Sequence, residues 1–137
     1  LVTHLRELGT SVEEKLENLA IRHGIHVTSQ VSRRMDSLED IEAMMTRLRQ
    51  NIPAALSGFP ITAEDLLERR GQQRTDAVVL SGEIGGSSIR LVLRPSGTEP
   101  KVKCYIEVRE PVITDPTVAR IWAGVVVSEL EAYARNI

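Results

Sequence analysis

The chain has 137 residues, a formal net charge of −2 and 26% charged residues, a length that suits one ordinary domain and a little more. The slightly acidic balance argues against a general nucleic-acid-binding protein, and no apolar stretch approaches the roughly 20 residues of a membrane-spanning helix. The single cysteine, Cys104, cannot form an internal disulfide, which predicts a reducing compartment and a cytoplasmic location.

The first 35 residues are predicted to contain a helix followed by a strand. The chain starts at Leu1 rather than Met, within a helical pattern, so we expect a fragment of a longer protein. Thr10 and Glu13 have the spacing of a capping box, and a glycine follows the apolar stripe, so residues 11–23 are predicted to be helical. Alternation of polar and apolar residues predicts a partly exposed strand over residues 25–35.

In the middle of the chain the sequence predicts one clear helix, followed by a segment with weaker secondary-structure signals. Ser37 with Asp40 predicts a helix N-cap, and apolar residues at helical spacing follow it. Residues 58–61 are typical of either a short strand or a turn, residues 64–70 predict a single helical turn, and residues 70–76 predict a surface loop. The predicted buried stripe of the helix comprises Ile41, Met44, Met45 and Leu48.

The second half predicts an antiparallel sheet followed by a helix. Residues 77–80 and 88–93 are predicted strands joined by a diglycine turn, and residues 101–108 are a further strand with Cys104 on its core side. Asp115, followed by proline, predicts the start of the last helix. The element order predicts an α+β fold, with helices packed on an antiparallel sheet. The predicted buried face of the last helix comprises Val118, Ile121, Trp122, Val125 and Leu130.

The loop that precedes the third of these strands has the composition of an oxyanion site. Arg94 offers a planar fork of N–H donors, two hydroxyl side chains follow it, and a glycine leaves backbone N–H groups accessible to an anion. Two lysines on the next strand leave the sheet on one face. On composition alone such a loop is more often an ordinary turn, and strand lysines are more often only solvated. The candidate phosphate-binding residues are Arg94, Ser96, Gly97, Thr98, Lys101 and Lys103.

Residues 94–101, Arg-Pro-Ser-Gly-Thr-Glu-Pro-Lys, resemble the C-terminal phosphate-binding loop of the α-D-phosphohexomutases, which include phosphoglucomutase and phosphomannomutase. The resemblance covers essentially the whole chain, and the loop is its most specific part. It implies that residues 28–137 form the family's TATA-binding-protein-like C-terminal domain and that residues 1–27 end the preceding, third domain. It also implies that the candidate residues grip the phosphate already carried by the sugar, with Lys103 as the basic residue on the following strand.

The resemblance implies a four-domain parent enzyme, an intramolecular phosphotransferase of the isomerase class. Members of the family move a phosphoryl group between sugar hydroxyls through a phosphoserine, a magnesium ion and a sugar bisphosphate intermediate. The aspartates and histidines of this chain are scattered, so the catalytic residues and the metal site are expected in the other three domains. The chain alone is therefore expected to be inactive.

The expected partners are a phosphorylated hexose and the other three domains, with no nucleic acid and no membrane. A hinge at residues 31–35 is expected to let the domain close over the substrate. The alternative is a stand-alone α+β module that binds a phosphorylated ligand or a protein partner, because a fold does not by itself fix a function.

Overall fold

The computed structural model describes residues 2–7 and 9–137 of the chain. These residues include a five-stranded antiparallel sheet. The strands of this sheet are β1 (Ile25–Arg34), β4 (Thr62–Asp65), β5 (Val78–Ile84), β6 (Ser87–Pro95) and β7 (Lys101–Glu110), and the short strands β2 (Ala55–Leu56) and β3 (Phe59–Pro60) pair with each other. In space the five strands follow the order β1-β7-β6-β5-β4. The helices are α1 (Val2–Glu7), α2 (Val12–His23), α3 (Leu38–Gln50) and α4 (Pro116–Asn136).

One face of the sheet is buried and the other is open. Along β7 every second residue is buried, and these residues share one hydrophobic core with the buried residues of α3 and α4. The predicted α+β fold, with helices on an antiparallel sheet, is confirmed. In the part of the chain that the structure describes, no helix combines the length and the apolar character needed to cross a membrane. The buried residues of β7 are Val102, Cys104, Ile106 and Val108.

The N-terminal caps of the first two long helices are side-chain hydroxyl groups. In α3 the predicted cap is confirmed, because the backbone N–H of Asp40 donates to Ser37 Oγ at 3.1 Å. In α2 the cap is Ser11 and not Thr10 as predicted, and its capping box closes on Glu14. Thr10 and Ser11 are adjacent hydroxyl residues. The helix begins at Val12, one residue later than a cap at Thr10 predicted. The predicted buried stripe of α3 is confirmed, with all four residues at most 3% exposed.

The face of α4 that lies against the sheet differs from the predicted one. Of the predicted residues only Leu130 is buried, and the large side chain of Trp122 is 59% exposed. The helix contacts β1 and β7, and it does so largely through small residues, which leave room for a close approach between helix and sheet. The prediction that the bulkiest apolar side chains of α4 form its buried face is therefore wrong. The buried residues of α4 are Ala119, Ala123, Val126, Val127, Leu130 and Ala134.

Strand β1 runs through both the predicted domain boundary and the predicted hinge. All ten residues of β1 pair with β7, so the boundary between residues 27 and 28 falls inside a continuous strand. The backbone N–H of Met35 donates to the carbonyl oxygen of Pro100 at 2.9 Å. The hinge predicted at residues 31–35 is therefore wrong, because the sheet and this hydrogen bond hold that backbone. Just before β1, Gly24 has φ 87°, and a Cβ there would lie 2.7 Å from the Glu110 carbonyl oxygen.

The segment between α3 and β5 is held to α3 by Arg49. Its guanidinium donates to Asp65 at 2.7 Å and to Asp76 at 2.5 Å. Burial would raise the pKa of the Asp65 carboxyl, but hydrogen bonds from Arg49 and from the Leu67 N–H outweigh it and hold that pKa below its usual value. Both structures predicted for residues 58–61 occur there, a turn at Gly58 and the short strand β3 after it. The helical turn predicted for residues 64–70 is confined to a 3-10 turn at residues 66–68.

The buried face of α4 can be tested by placing a leucine on each side of the helix. Ala123 is 0% exposed, so Ala123→Leu should overpack the core and lower the free energy of unfolding by about 1–3 kcal/mol. Ser128→Leu, on the exposed side, should change it by less than about 0.5 kcal/mol. Urea unfolding of both variants measures the difference. Equal destabilisation by the two leucines would contradict the assigned face.

Candidate functional site

The candidate site lies at the end of the sheet where β6 passes into β7. Arg94 and Pro95 are the last residues of β6, so the connecting loop itself is only residues 96–100. The backbone N–H of Ser96 donates to the carbonyl oxygen of Lys101 at 2.8 Å, which closes the loop at its base. At its other side, the Pro100 carbonyl accepts from the Met35 N–H beyond the end of β1. The loop is therefore anchored by backbone hydrogen bonds to both of its neighbours.

The strand register brings the predicted basic residues together. Arg94 on β6 lies directly opposite Lys103 on β7, and Lys101 precedes Lys103 by two residues on the same face. This face is the open one, because the alternate residues of β7 are buried beneath the helices. The structure thus places Arg94, Lys101 and Lys103 around one end of the sheet, beside the loop.

Sequence reasoning missed one residue of this group, Arg34. It is the last residue of β1 and lies directly opposite Lys101, so it belongs to the same open face. The missing information was the pairing of β1 with β7, which joins segments far apart in sequence. Arg34, Arg94, Lys101 and Lys103 are called the cation cluster below.

The hydroxyl groups and the glycine of the loop lie next to this cluster. Ser96 is half-buried, whereas Gly97 and Thr98 are exposed. A Cβ added at Gly97 would meet no atom within 4 Å, and its φ is not in the left-handed region. Neither packing nor backbone conformation therefore requires glycine at this position.

Two cluster residues have neighbours that hold their side chains. The Arg94 guanidinium carbon lies 6.0 Å from the centre of the Tyr105 ring, within the range of a cation–π contact. Lys101 Nζ lies 2.5 Å from Glu99 Oε2. The hydrogen bond and charge of Lys101, helped by the charges of Arg34 and Lys103, hold the pKa of the Glu99 carboxyl below its usual value.

A second concave region lies on the open face at the opposite end of the sheet. This groove has a volume of about 700 Å³, and it contains none of the predicted site residues. Its charges are mixed, and Arg90 lies 3.6 Å from Glu107 within it. The polar residues that line it include His26, Thr28, Ser81, Glu83, Ser88 and Arg109.

The described residues do not fit the magnesium site that the resemblance implies for a parent enzyme. Residues 2–7 and 9–137 contain no group of three or more His, Cys, Asp and Glu side chains that could hold a metal ion. Cys104 is 4% exposed, and burial raises the pKa of its thiol to about 12. The predicted burial of this thiol is confirmed. With its pKa raised, the thiol is almost entirely protonated near neutral pH.

Residues 31–121 match the family model described as phosphoglucomutase/phosphomannomutase, C-terminal domain. The chain belongs to this family. It is 34% identical over 127 residues, 91% of its length, to a probable phosphomannomutase of Haemophilus influenzae, and covers 25% of that protein. It is 30% identical over 125 residues, 82% of its length, to a phosphoglucomutase of Staphylococcus aureus strain MRSA252, and covers 23% of that protein. This phosphoglucomutase/phosphomannomutase C-terminal domain therefore spans about a quarter of these curated relatives.

Proposed function

We propose that this chain is the substrate-phosphate-binding domain of a phosphosugar mutase. The observation that carries the proposal is the register of β6 and β7, which sets Arg94 opposite Lys103 beside a loop with two hydroxyl side chains and a glycine. Four cationic side chains at one end of an otherwise mixed-charge face favour a multiply charged anion. A sugar phosphate has this charge, and the relatives of the chain carry the names of sugar-phosphate mutases.

The proposed contacts of the phosphate follow from the chemistry of each residue. Arg94 would donate two parallel hydrogen bonds, for which its guanidinium is held over Tyr105. Ser96 and Thr98 would donate through their hydroxyl groups. Gly97 would let the phosphate approach the backbone N–H groups, which explains a glycine that the fold itself does not need. Each charge-assisted hydrogen bond contributes about 1.5–3 kcal/mol.

The proposed role of the domain is to hold the phosphate that is not being transferred. In the parent protein the phosphoserine and the magnesium ion would lie in the other three domains, which are also the proposed partners of this chain. A grip on the distant phosphate would orient a sugar bisphosphate and exclude water from the transfer site. The residues described here bind and orient, and they perform no chemical step.

The division of roles predicts that the isolated chain has no mutase activity. Incubation with a hexose 1-phosphate and a catalytic amount of the hexose bisphosphate should yield no hexose 6-phosphate above the uncatalysed rate. Phosphorus NMR of the mixture measures both isomers. Turnover that scales with the concentration of the chain would contradict the proposal.

The phosphate contact of Arg94 is tested by Arg94→Ala. Loss of the two charge-assisted hydrogen bonds proposed for Arg94 should weaken the binding of inorganic phosphate at least about 10-fold, because each contributes about 1.5–3 kcal/mol. Amide NMR titration of the chain measures the affinity, and the shifted resonances should belong to residues 94–103.

The matched control is Arg90→Ala, which removes an arginine from the same strand and the same face, four residues away from Arg94. Arg90 lies beside Glu107 in the distant groove, so this variant should bind phosphate as the wild-type chain does. Equal losses in both variants would show only a general charge effect. Shifts centred on the groove would contradict the site.

A further inference from the structure

The Glu99 carboxylate pairs with a member of the cation cluster. Glu99 Oε2 is 2.5 Å from Lys101 Nζ, and the Glu99 side chain is 53% exposed whereas that of Lys101 is 26% exposed. The backbone N–H of Lys101 also donates to the Glu99 carbonyl oxygen at 2.7 Å, so these two residues are joined by both a backbone and a side-chain contact. With its pKa lowered by Lys101, Arg34 and Lys103, the Glu99 carboxyl is ionised at neutral pH.

The Glu99 carboxylate and a bound phosphate would compete for the same ammonium group. Both are oxyanions, and a phosphate held by Arg94 and Lys103 would place further negative charge beside Glu99. The carboxylate can leave without disturbing the core, because Gly97, Thr98 and Glu99 are exposed and the loop is anchored through its backbone.

We propose that Glu99 is an internal counter-ion, which pairs with Lys101 in the free domain and is displaced when the substrate phosphate binds. This inference rests on the proposed function of the loop. The exchange replaces a carboxylate of charge −1 by a phosphate of charge about −2, so anions of higher charge gain most from it. Glu99 therefore lowers the affinity of the site for any anion that must displace it from Lys101.

The proposal predicts that Glu99→Gln increases the affinity of the chain for phosphate. The variant keeps the length and hydrogen-bonding capacity of the side chain and removes its charge, so it should bind inorganic phosphate about 2- to 5-fold more tightly, the range of an exposed ion pair. If Glu99 instead positioned Lys101 for the ligand, the same variant would bind phosphate more weakly. Amide NMR titration of the 137-residue chain at low ionic strength measures the affinity.

The matched control is Glu107→Gln, which removes a carboxylate from the same face of β7. Glu107 lies beside Arg90, toward the other end of the sheet, and this variant should bind phosphate with wild-type affinity. A second readout is the side-chain carboxylate carbon resonance of Glu99 in the wild-type chain at neutral pH, where phosphate carries a charge of about −2. It should shift when phosphate saturates the site and Lys101 is lost as a partner.

Three outcomes would overturn the proposal. Weaker binding by Glu99→Gln would make Glu99 a positioning residue. Unchanged binding by Glu99→Gln, with Arg94→Ala still impaired, would remove Glu99 from the site and leave the proposed function intact. An absence of phosphate-induced shifts at residues 94–103 in the wild-type chain would overturn both this inference and the proposed function.

Discussion

The antiparallel register between β6 and β7 is fixed by the hydrophobic core, and the candidate site depends on it. Leu93 lies opposite Cys104, both are at most 4% exposed, and the next pair along the strands is Arg94 with Lys103. Side chains alternate between the two faces of a sheet, so a slip by one residue would turn the cations into the core. Burial of a large apolar side chain contributes about 1.5–3 kcal/mol, which makes such a slip costly. The same apolar pairs that stabilise the fold therefore aim the cations at the open face.

The third strand of the site, β1, contributes through its end. It supplies Arg34 opposite Lys101, and beyond it Met35 fixes the loop through the Pro100 carbonyl. Donors on strand ends and on a short anchored loop lose little conformational freedom when a ligand binds, which favours affinity. The resident Glu99 acts in the other direction, since it already satisfies one cation of the cluster. In this proposal the cations and the anchored loop favour phosphate binding, and the internal anion Glu99 reduces the affinity.

Features set by neighbouring residues could be predicted from the sequence, and features set by long-range packing could not. The Ser37 cap, the alternation along β7 and the position of the loop all follow from local patterns, and each of them is found in the structure. The role of Arg34 depends on β1 pairing with β7, for which no local pattern exists. The face of α4 was mispredicted because apolar residues occur on both of its sides, and the close approach to the sheet selects small residues such as Ala123. The phosphate-binding role of the six site residues remains a prediction. The structure shows that they lie at the same end of the sheet.

The central claim is that a sugar phosphate binds at the cation cluster, and a crystal structure of this chain with a hexose 1-phosphate tests it most directly. The phosphate should lie within hydrogen-bond distance of Arg94 and Lys103, with the Glu99 carboxylate turned away from Lys101. A phosphate bound instead in the groove beside His26 and Arg90, with residues 96–100 unchanged, would contradict the account.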